Sequence, residues 1–174
     1  FEWQGSPTLP VAVRVDSAPA GVHVRLEAES GTQRDGIWAG WDETASECWY
    51  LDSFGDEAKT GMATVALTVP RAGDYYIWGR ATGLSWDSDS FYVQVDDGPR
   101  LQWATGYQWD WEWRAICDLT GGQCDLGAYR FSLAAGAHTI TITTREAGAM
   151  LDALEVTDQD PSSYQPDWVT ACGE

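Results

Sequence analysis

The sequence contains no asparagine and a single lysine, Lys59. Without asparagine there is no acceptor for N-glycosylation. Ten basic residues stand against 27 acidic ones, for a net charge of −17. No basic stripe exists to neutralise phosphates, so nucleic acid is excluded as a partner. The same deficit argues against anionic membrane surfaces, and no apolar run approaches the ~18 residues that membrane insertion needs. Only two histidines, His23 and His138, are present, and the four cysteines form no C-x-x-C pair, so a zinc centre lacks its ligands. Glycine-rich phosphate loops and nucleophile elbows are absent. No stretch longer than a turn or two carries a helical period.

Aromatic residues are abundant: 11 of the 174 residues are tryptophan. Tyr107, Trp109, Trp111 and Trp113 fall at strict two-residue spacing. In an extended strand such side chains share one face, so the segment is expected to present a wall of rings. Flat ring faces with a polar N–H at the edge suit sugars, whose axial C–H groups stack while their hydroxyls take hydrogen bonds. One or two of these four rings also serve equally well as core, since strand aromatics are commonly buried.

The rest of the chain reads as strand after strand. Leu9, Val11, Val13 and Val15 alternate with polar or small residues, giving a half-buried N-terminal strand. Further strands are expected at 24–29, 48–52, 62–69, 75–81, 91–95, 112–117, 129–133, 139–144 and 151–157. Turns such as Pro70-Arg71-Ala72-Gly73 and Asp96-Asp97-Gly98-Pro99 separate them. This is an all-β pattern, a β-sandwich or jelly roll, in one domain able to bury its own core. The expected organisation is an N-terminal extension over 1–22, a sandwich over 23–158 and a tail over 159–174. The chain starts at Phe1 without a leader, which is the expected look of a processed protein or an excised module.

Four cysteines allow three pairings. Cys117 and Cys124 bracket a turn-rich segment that a disulfide would close, leaving Cys48 with Cys172 to pin the tail. That pairing is preferred, with an exported, oxidising location, secreted or at the cell surface.

Several stretches in order then resemble a known family: Leu26-Glu27-Ala28-Glu29, Gly73-Asp74-Tyr75-Tyr76-Ile77-Trp78, Asp89-Ser90-Phe91-Tyr92-Val93, Gly136-Ala137-His138-Thr139-Ile140 and Met150-Leu151-Asp152. Over about residues 24–157 the chain resembles the calcium-binding β-sandwich carbohydrate-binding modules of families 6 and 35, a galactose-binding-domain-like fold. The resemblance implies a structural Ca²⁺ held by Glu27, Glu29 and Asp152, the first two placed on one face of a strand. The acidic run Asp52–Glu57 lacks EF-hand spacing and reads as a solvated loop. The resemblance also implies sugar contacts from exposed aromatics, for which Trp38, Trp41, Trp86, Tyr107, Trp109 and Trp111 are the candidates. Trp78 and Trp103 read as core. Family sites often add an asparagine near the C-terminal strand. With none available here, Asp158, Gln159 or Asp160 is the expected substitute. Arg80, Arg145 and Glu146 suit either sugar hydroxyls or an internal ion pair.

Asp87 with Asp89, or Asp110 with Glu112, supplies paired carboxylates, but a small sandwich offers little room for the cleft that glycoside hydrolysis requires. The expected function is therefore a non-catalytic, calcium-stabilised module that binds a polysaccharide. The alternative is a subunit of an extracellular filament that self-associates by donating the Leu9, Val11, Val13 and Val15 strand to a neighbour.

Overall fold

A computed structural model of the chain describes residues 21–108, 110–121, 124, 127–167, 169 and 171–172. The expected N-terminal strand (Leu9, Val11, Val13, Val15) and the candidate ring Trp109 lie outside the described residues.

Twelve strands and two short 3₁₀ turns make up the described chain. In order they are β1 (His23–Glu27), β2 (Thr32–Arg34), β3 (Trp38–Trp41), β4 (Trp49–Asp52), β5 (Met62–Val69) and β6 (Gly73–Gly83). β7 (Ser90–Val95), β8 (Leu101–Ala104), β9 (Glu112–Ala115), β10 (Phe131–Leu133), β11 (Gly136–Thr144) and β12 (Ala149–Thr157) follow. They form two antiparallel sheets. The smaller sheet runs β2-β5-β11-β7-β8. In the larger sheet β6 and β12 are central, β9 and β10 lie end to end along the outer edge of β6, and β1 and β4 lie end to end along β12. β3 continues the sheet beyond β4. This is the all-β sandwich expected from the alternation.

The two inner faces interlock by size. Trp103 on β8 is fully buried, and a β-carbon at Gly79 on β6 would sit 2.4 Å from its ring, so only glycine admits the indole there. The same core cluster holds Leu51, Ile77, Phe91, Ile142 and Leu154, each with no exposed surface. Burying this many large side chains, at ~25 cal/mol per Å² of apolar area, supplies the main driving force for the fold.

β12 is buried along both faces after its second residue, whereas a strand on one sheet of a sandwich should alternate. The C-terminal segment explains the difference. Tyr164 donates its hydroxyl to Glu155, the Trp113 indole donates to the Asp167 carbonyl at 3.1 Å, and Val169 is buried. The segment thus covers the outer face of the larger sheet. It is anchored by the Cys48–Cys172 disulfide and a bridge between Ser46 and Ala171. The second disulfide joins Cys117 to Cys124, so of the three possible pairings the structure has the preferred one.

Two strands, β2 and β3, carry no clear alternating signature and do not stand out in the sequence, whereas β8, the apparent strand that holds Trp103, alternates buried and half-buried residues. The glycine-flanked stretch holding Trp38 and Trp41 forms an edge strand, in which Gly40 lies directly across from Tyr50, whose ring takes the space of the missing side chain: a β-carbon at Gly40 would meet it at 2.5 Å. Among the described residues of the aromatic segment no continuous strand is present to align the rings. β9 spans only Glu112–Ala115 and residues 105–108 and 110–111 are loop, so strand periodicity does not govern Tyr107 and Trp111.

Candidate functional site

Three loops and the start of one strand meet at one end of the sandwich. The end of β6 supplies Thr82 and Gly83, and the loop after it supplies Leu84. The β8–β9 connection supplies Tyr107, Gln108 and Trp111, the residue after β3 is Asp42, and Met150 is the second residue of β12. Together they line a recess of ≈ 120 Å³. Trp86, in the β6–β7 loop, is 75% exposed and leans on Tyr107, with ring centroids 5.8 Å apart and planes tilted by 60°. The recess therefore has a tryptophan–tyrosine pair at its rim.

Its walls are held by hydrogen bonds. Gln108 donates to the carbonyls of Ala81 at 3.0 Å and Thr105 at 3.3 Å, and accepts from Arg114 at 3.2 Å. Trp111 is only 9% exposed. Its indole donates to Thr44 Oγ1 at 3.2 Å and its ring packs against Tyr50 with centroids 5.1 Å apart. Thr44 bonds Asp42 Oδ1 through both its amide and its hydroxyl, at 2.7 Å each. Asp42 lines this site among apolar and aromatic groups, and its Oδ2 has no hydrogen-bond partner among the described residues. This combination can stack a sugar ring and accept a hydrogen bond from a sugar hydroxyl.

Of the expected sugar contacts, Trp86, Tyr107 and Trp111 meet here, with Trp111 a wall rather than an open platform. Trp38 and Trp41 lie elsewhere, on the edge strand β3, where Trp41 faces Trp49 across β4 and Phe54 is exposed nearby. Asp158 is at the far end of β12, about 25 Å along the strand from Met150. It accepts from the Val22 amide at 2.8 Å and pairs with Arg71 at 2.5 Å, so it holds β1 and the β5–β6 turn in place. The residue of the C-terminal strand that reaches the recess is Met150. Asp42, Leu84, Gln108 and Met150 escape sequence reasoning because nothing local marks them. Only sheet order brings β3, β6 and β12 together.

A second constellation lies where β1 stops and β4 takes over along β12. At that junction β12 carries a bulge between Leu151 and Ala153. The bulge inserts Asp152, which has no exposed surface, between the two end-to-end strands. Asp152 Oδ1 accepts from the Ser46 amide at 2.8 Å, and Oδ2 pairs with Arg80, which also donates to the Thr44 carbonyl. Glu27 ends β1, and its Oε1 accepts from Ser46 Oγ at 2.9 Å. Glu29 sits not on the strand but in the 3₁₀ turn Ala28–Ser30, so the two glutamates do not share a strand face.

Burial raises the carboxyl of Glu29 to about 7, helped by the charges of Glu27, Asp152 and Glu47. Burial raises Asp152 to about 6 despite the Arg80 guanidinium, and it raises Glu27 as well. One oxygen of Glu27 and one of Glu29 are buried without any hydrogen-bond partner. Among the described residues no three His, Cys, Asp or Glu side chains are arranged to hold a metal ion. The two unpartnered carboxylate oxygens nonetheless fit a hard cation in donor type.

The remaining charged candidates make internal ion pairs and hydrogen bonds. Arg145 pairs with Glu146, whose other oxygen accepts from Ser90 at 2.6 Å. His138 bridges Asp96 at 2.6 Å and the Ala134 carbonyl at 2.8 Å. In the acidic run, Asp56 is buried rather than solvated and accepts from the Gly61 amide at 2.7 Å.

No protein-family model matches the sequence, and no curated protein matches it. Among solved structures the chain is similar to a family 35 carbohydrate-binding module from Clostridium thermocellum, at 16% identity and a TM-score of 0.57, covering 78% of this chain and 97% of that one. It is similar to the C-terminal CBM6 of LamC, a marine laminarinase from Zobellia galactanivorans, at 16% identity and a TM-score of 0.57, covering 79% and 100%. It is also similar to the Podospora anserina GH26-CBM35 β-(1,4)-mannanase, at 16% identity and a TM-score of 0.62, covering 83% of this chain but only 28% of that enzyme. The chain thus has the fold of the family 6 and family 35 carbohydrate-binding modules. It matches single modules end to end and multidomain hydrolases over less than a third of their length. No described helix is long and apolar enough to cross a membrane.

Proposed function

We propose that the chain is a non-catalytic carbohydrate-binding module, exported from the cell, that recognises a polysaccharide at the recess between Trp86, Tyr107 and Asp42. The observation that carries this reading is the exposed Trp86–Tyr107 pair at the rim of a pre-shaped, hydrogen-bonded recess. The neighbours' names point to the same ligand class, and two disulfides suit an oxidising compartment. Each exposed ring stacks on a sugar face, and removing one costs about 1–3 kcal/mol of binding. Trp86→Ala and Tyr107→Ala are therefore expected to weaken retention on the recognised polysaccharide about tenfold or more in affinity electrophoresis. Both rings are exposed, so the melting temperature should move little. Unchanged retention in both variants would remove this recess from the account.

Calcium belongs to the same proposal. Glu27, Glu29 and Asp152 would hold it, and its charge would quench the mutual repulsion of buried carboxylates and stiffen the turn after β1. The sign of the pH dependence follows from the raised values. Asp152 at about 6 and Glu29 at about 7 keep protons in the folded state that the unfolded chain, at the ordinary 3.8 and 4.5, has already released. The stability that these two carboxyls contribute to the metal-free protein is thus fully present below about pH 4 and is lost as pH rises to about 7. Calcium at about 100 times its dissociation constant adds ~2.7 kcal/mol, or roughly 5–10 °C for a chain of this size. That gain is expected at pH 7.5 and should nearly vanish at pH 4.5, where protons hold the site. A chelator-stripped protein whose melting temperature ignores calcium at pH 7.5 would reject the metal.

A further inference from the structure

Seven of the nine lysine and arginine residues among the described residues pair with a carboxylate within 4 Å. The two that do not are Lys59 and Arg100, and both line one recess of ≈ 370 Å³ beside the smaller sheet. Tyr92, Thr144, Arg145 and Glu146 complete it. With 27 acidic residues in the chain, two unpaired cations at one place are not the outcome of ordinary surface pairing. Among the residues that line the recess, three cations stand against one carboxylate, on a protein whose net charge is −17.

The donors are held in position. The Arg100 guanidinium lies 3.8 Å from the centroid of the Tyr92 ring, which fixes its plane. Arg145 is locked by Ser90 at 2.7 Å and by Glu146. With the Gln102 amide oriented to satisfy both groups, its oxygen accepts from Arg145 Nε at 3.0 Å and Nη2 at 3.1 Å. Tyr92, Gln102 and Thr143 form one rung across β7, β8 and β11, pointing away from the core. Glu146 is engaged by Arg145 and Ser90, and nearby Asp56 is turned into its own loop, so neither carboxylate neutralises Lys59 or Arg100. Lys59, on the β4–β5 loop, adds an exposed ammonium on a flexible stem. The loop 145–148 that carries Arg145 packs on the β6–β7 loop bearing Trp86, through Gly148 beside Leu84 and Ser88. A chain lying over this end of the sandwich can therefore reach both recesses.

We propose that the recess around Lys59, Arg100 and Arg145 binds the carboxylate or sulfate group of an acidic polysaccharide. The saccharide part of this proposal rests on the carbohydrate reading above; the anion part rests on the unpaired cations. Fixed guanidinium groups suit planar and tetrahedral oxyanions alike. The distant acidic surface repels such a ligand, but at ~0.15 M salt that repulsion is screened beyond about 8 Å while contacts inside the recess persist.

The test is an amide chemical-shift titration at about 0.15 M salt with four probes: a galacturonate hexamer, a sulfated galactan oligosaccharide, a neutral hexasaccharide and sodium sulfate. At least one charged oligosaccharide should shift the amides of residues 59, 92, 100 and 144–146, and the neutral one should not. Lys59→Ala with Arg100→Ala should weaken that binding about tenfold or more, leaving the shifts at residues 84–86 and 107–108 intact. Neither side chain is buried, so the double variant keeps the fold. No shift at the recess with either charged oligosaccharide overturns the proposal, as does undiminished affinity in the double variant. Sodium sulfate binding as tightly as the oligosaccharides overturns the saccharide part and leaves a simple anion site. If the neutral sugar fails at Trp86 and Tyr107 while charged ones bind here, the earlier reading of the aromatic recess falls and this one stands.

Discussion

Arg80→Met is expected to be among the most damaging single substitutions in this protein. Arg80 is 3% exposed and Asp152 fully buried, and the guanidinium is the cation paired with that carboxylate. Deleting one partner of a buried pair leaves a charge without compensation, at a cost of about 3–5 kcal/mol. The loss also removes the bonds to the Thr44 carbonyl and the cation lying 5.9 Å from the Trp111 ring centroid, so one wall of the recess loosens. The cost should depend on pH. Asp152 is already raised to about 6 with Arg80 present, and without it the value climbs further. The variant loses stability as pH rises through that value and recovers part of it below about pH 5, where Asp152 is protonated. Thermal melts at pH 5 and pH 8 would show this, and Asp152→Asn in the same chain should restore much of the loss at pH 8. A variant as stable as the parent at pH 8 would mean that the pair contributes nothing.

Replacing Cys48 and Cys172 by serine is expected to lower the melting temperature by roughly 10 °C. The bond closes a loop with a sequence separation of 124. In the chain-entropy view, freeing a loop of that size costs about 3–5 kcal/mol, and each kcal/mol is worth ~2–4 °C here. The tail it ties down also covers Glu155 and Trp113. The Cys172 amide donates to Ala45 at 3.2 Å beside Ser46, the residue that bonds both Glu27 and Asp152. Polysaccharide retention should therefore weaken in the same variant, because Asp42 and Thr44 sit in that connection. The Cys117/Cys124 pair, with a separation of 7, closes a far shorter loop, and its double serine variant should lose much less. Equal losses in the two variants would sink the loop-length argument.

The sandwich was legible because its inner faces follow the strand period. β5, with Ala63, Val65, Leu67 and Val69 buried, has the bounds the alternation predicts. The acidic cluster was legible only as a list of residues. Glu29 belongs to a turn, and Asp152 owes its place to a bulge, which no two-residue period can announce. The aromatic segment misled for a related reason. Regular spacing fixes a common face only where the backbone is extended, and Tyr107 and Trp111 precede β9.

What the sequence determined alone is therefore the class of architecture, which depends on composition and two-residue periodicity; among three possible pairings it favoured the local loop that Cys117 and Cys124 close, and the structure has that pairing. The tertiary structure decided which rings meet. Trp86 joins Tyr107, Trp111 is held inside by Thr44 and Tyr50, and Trp38 and Trp41 are left on an edge. It also decided that Lys59 and Arg100 go without carboxylate partners while every other described lysine or arginine has one. Such pairings join residues dozens of positions apart. They are set by the order and register of strands across two sheets, which local pattern does not encode.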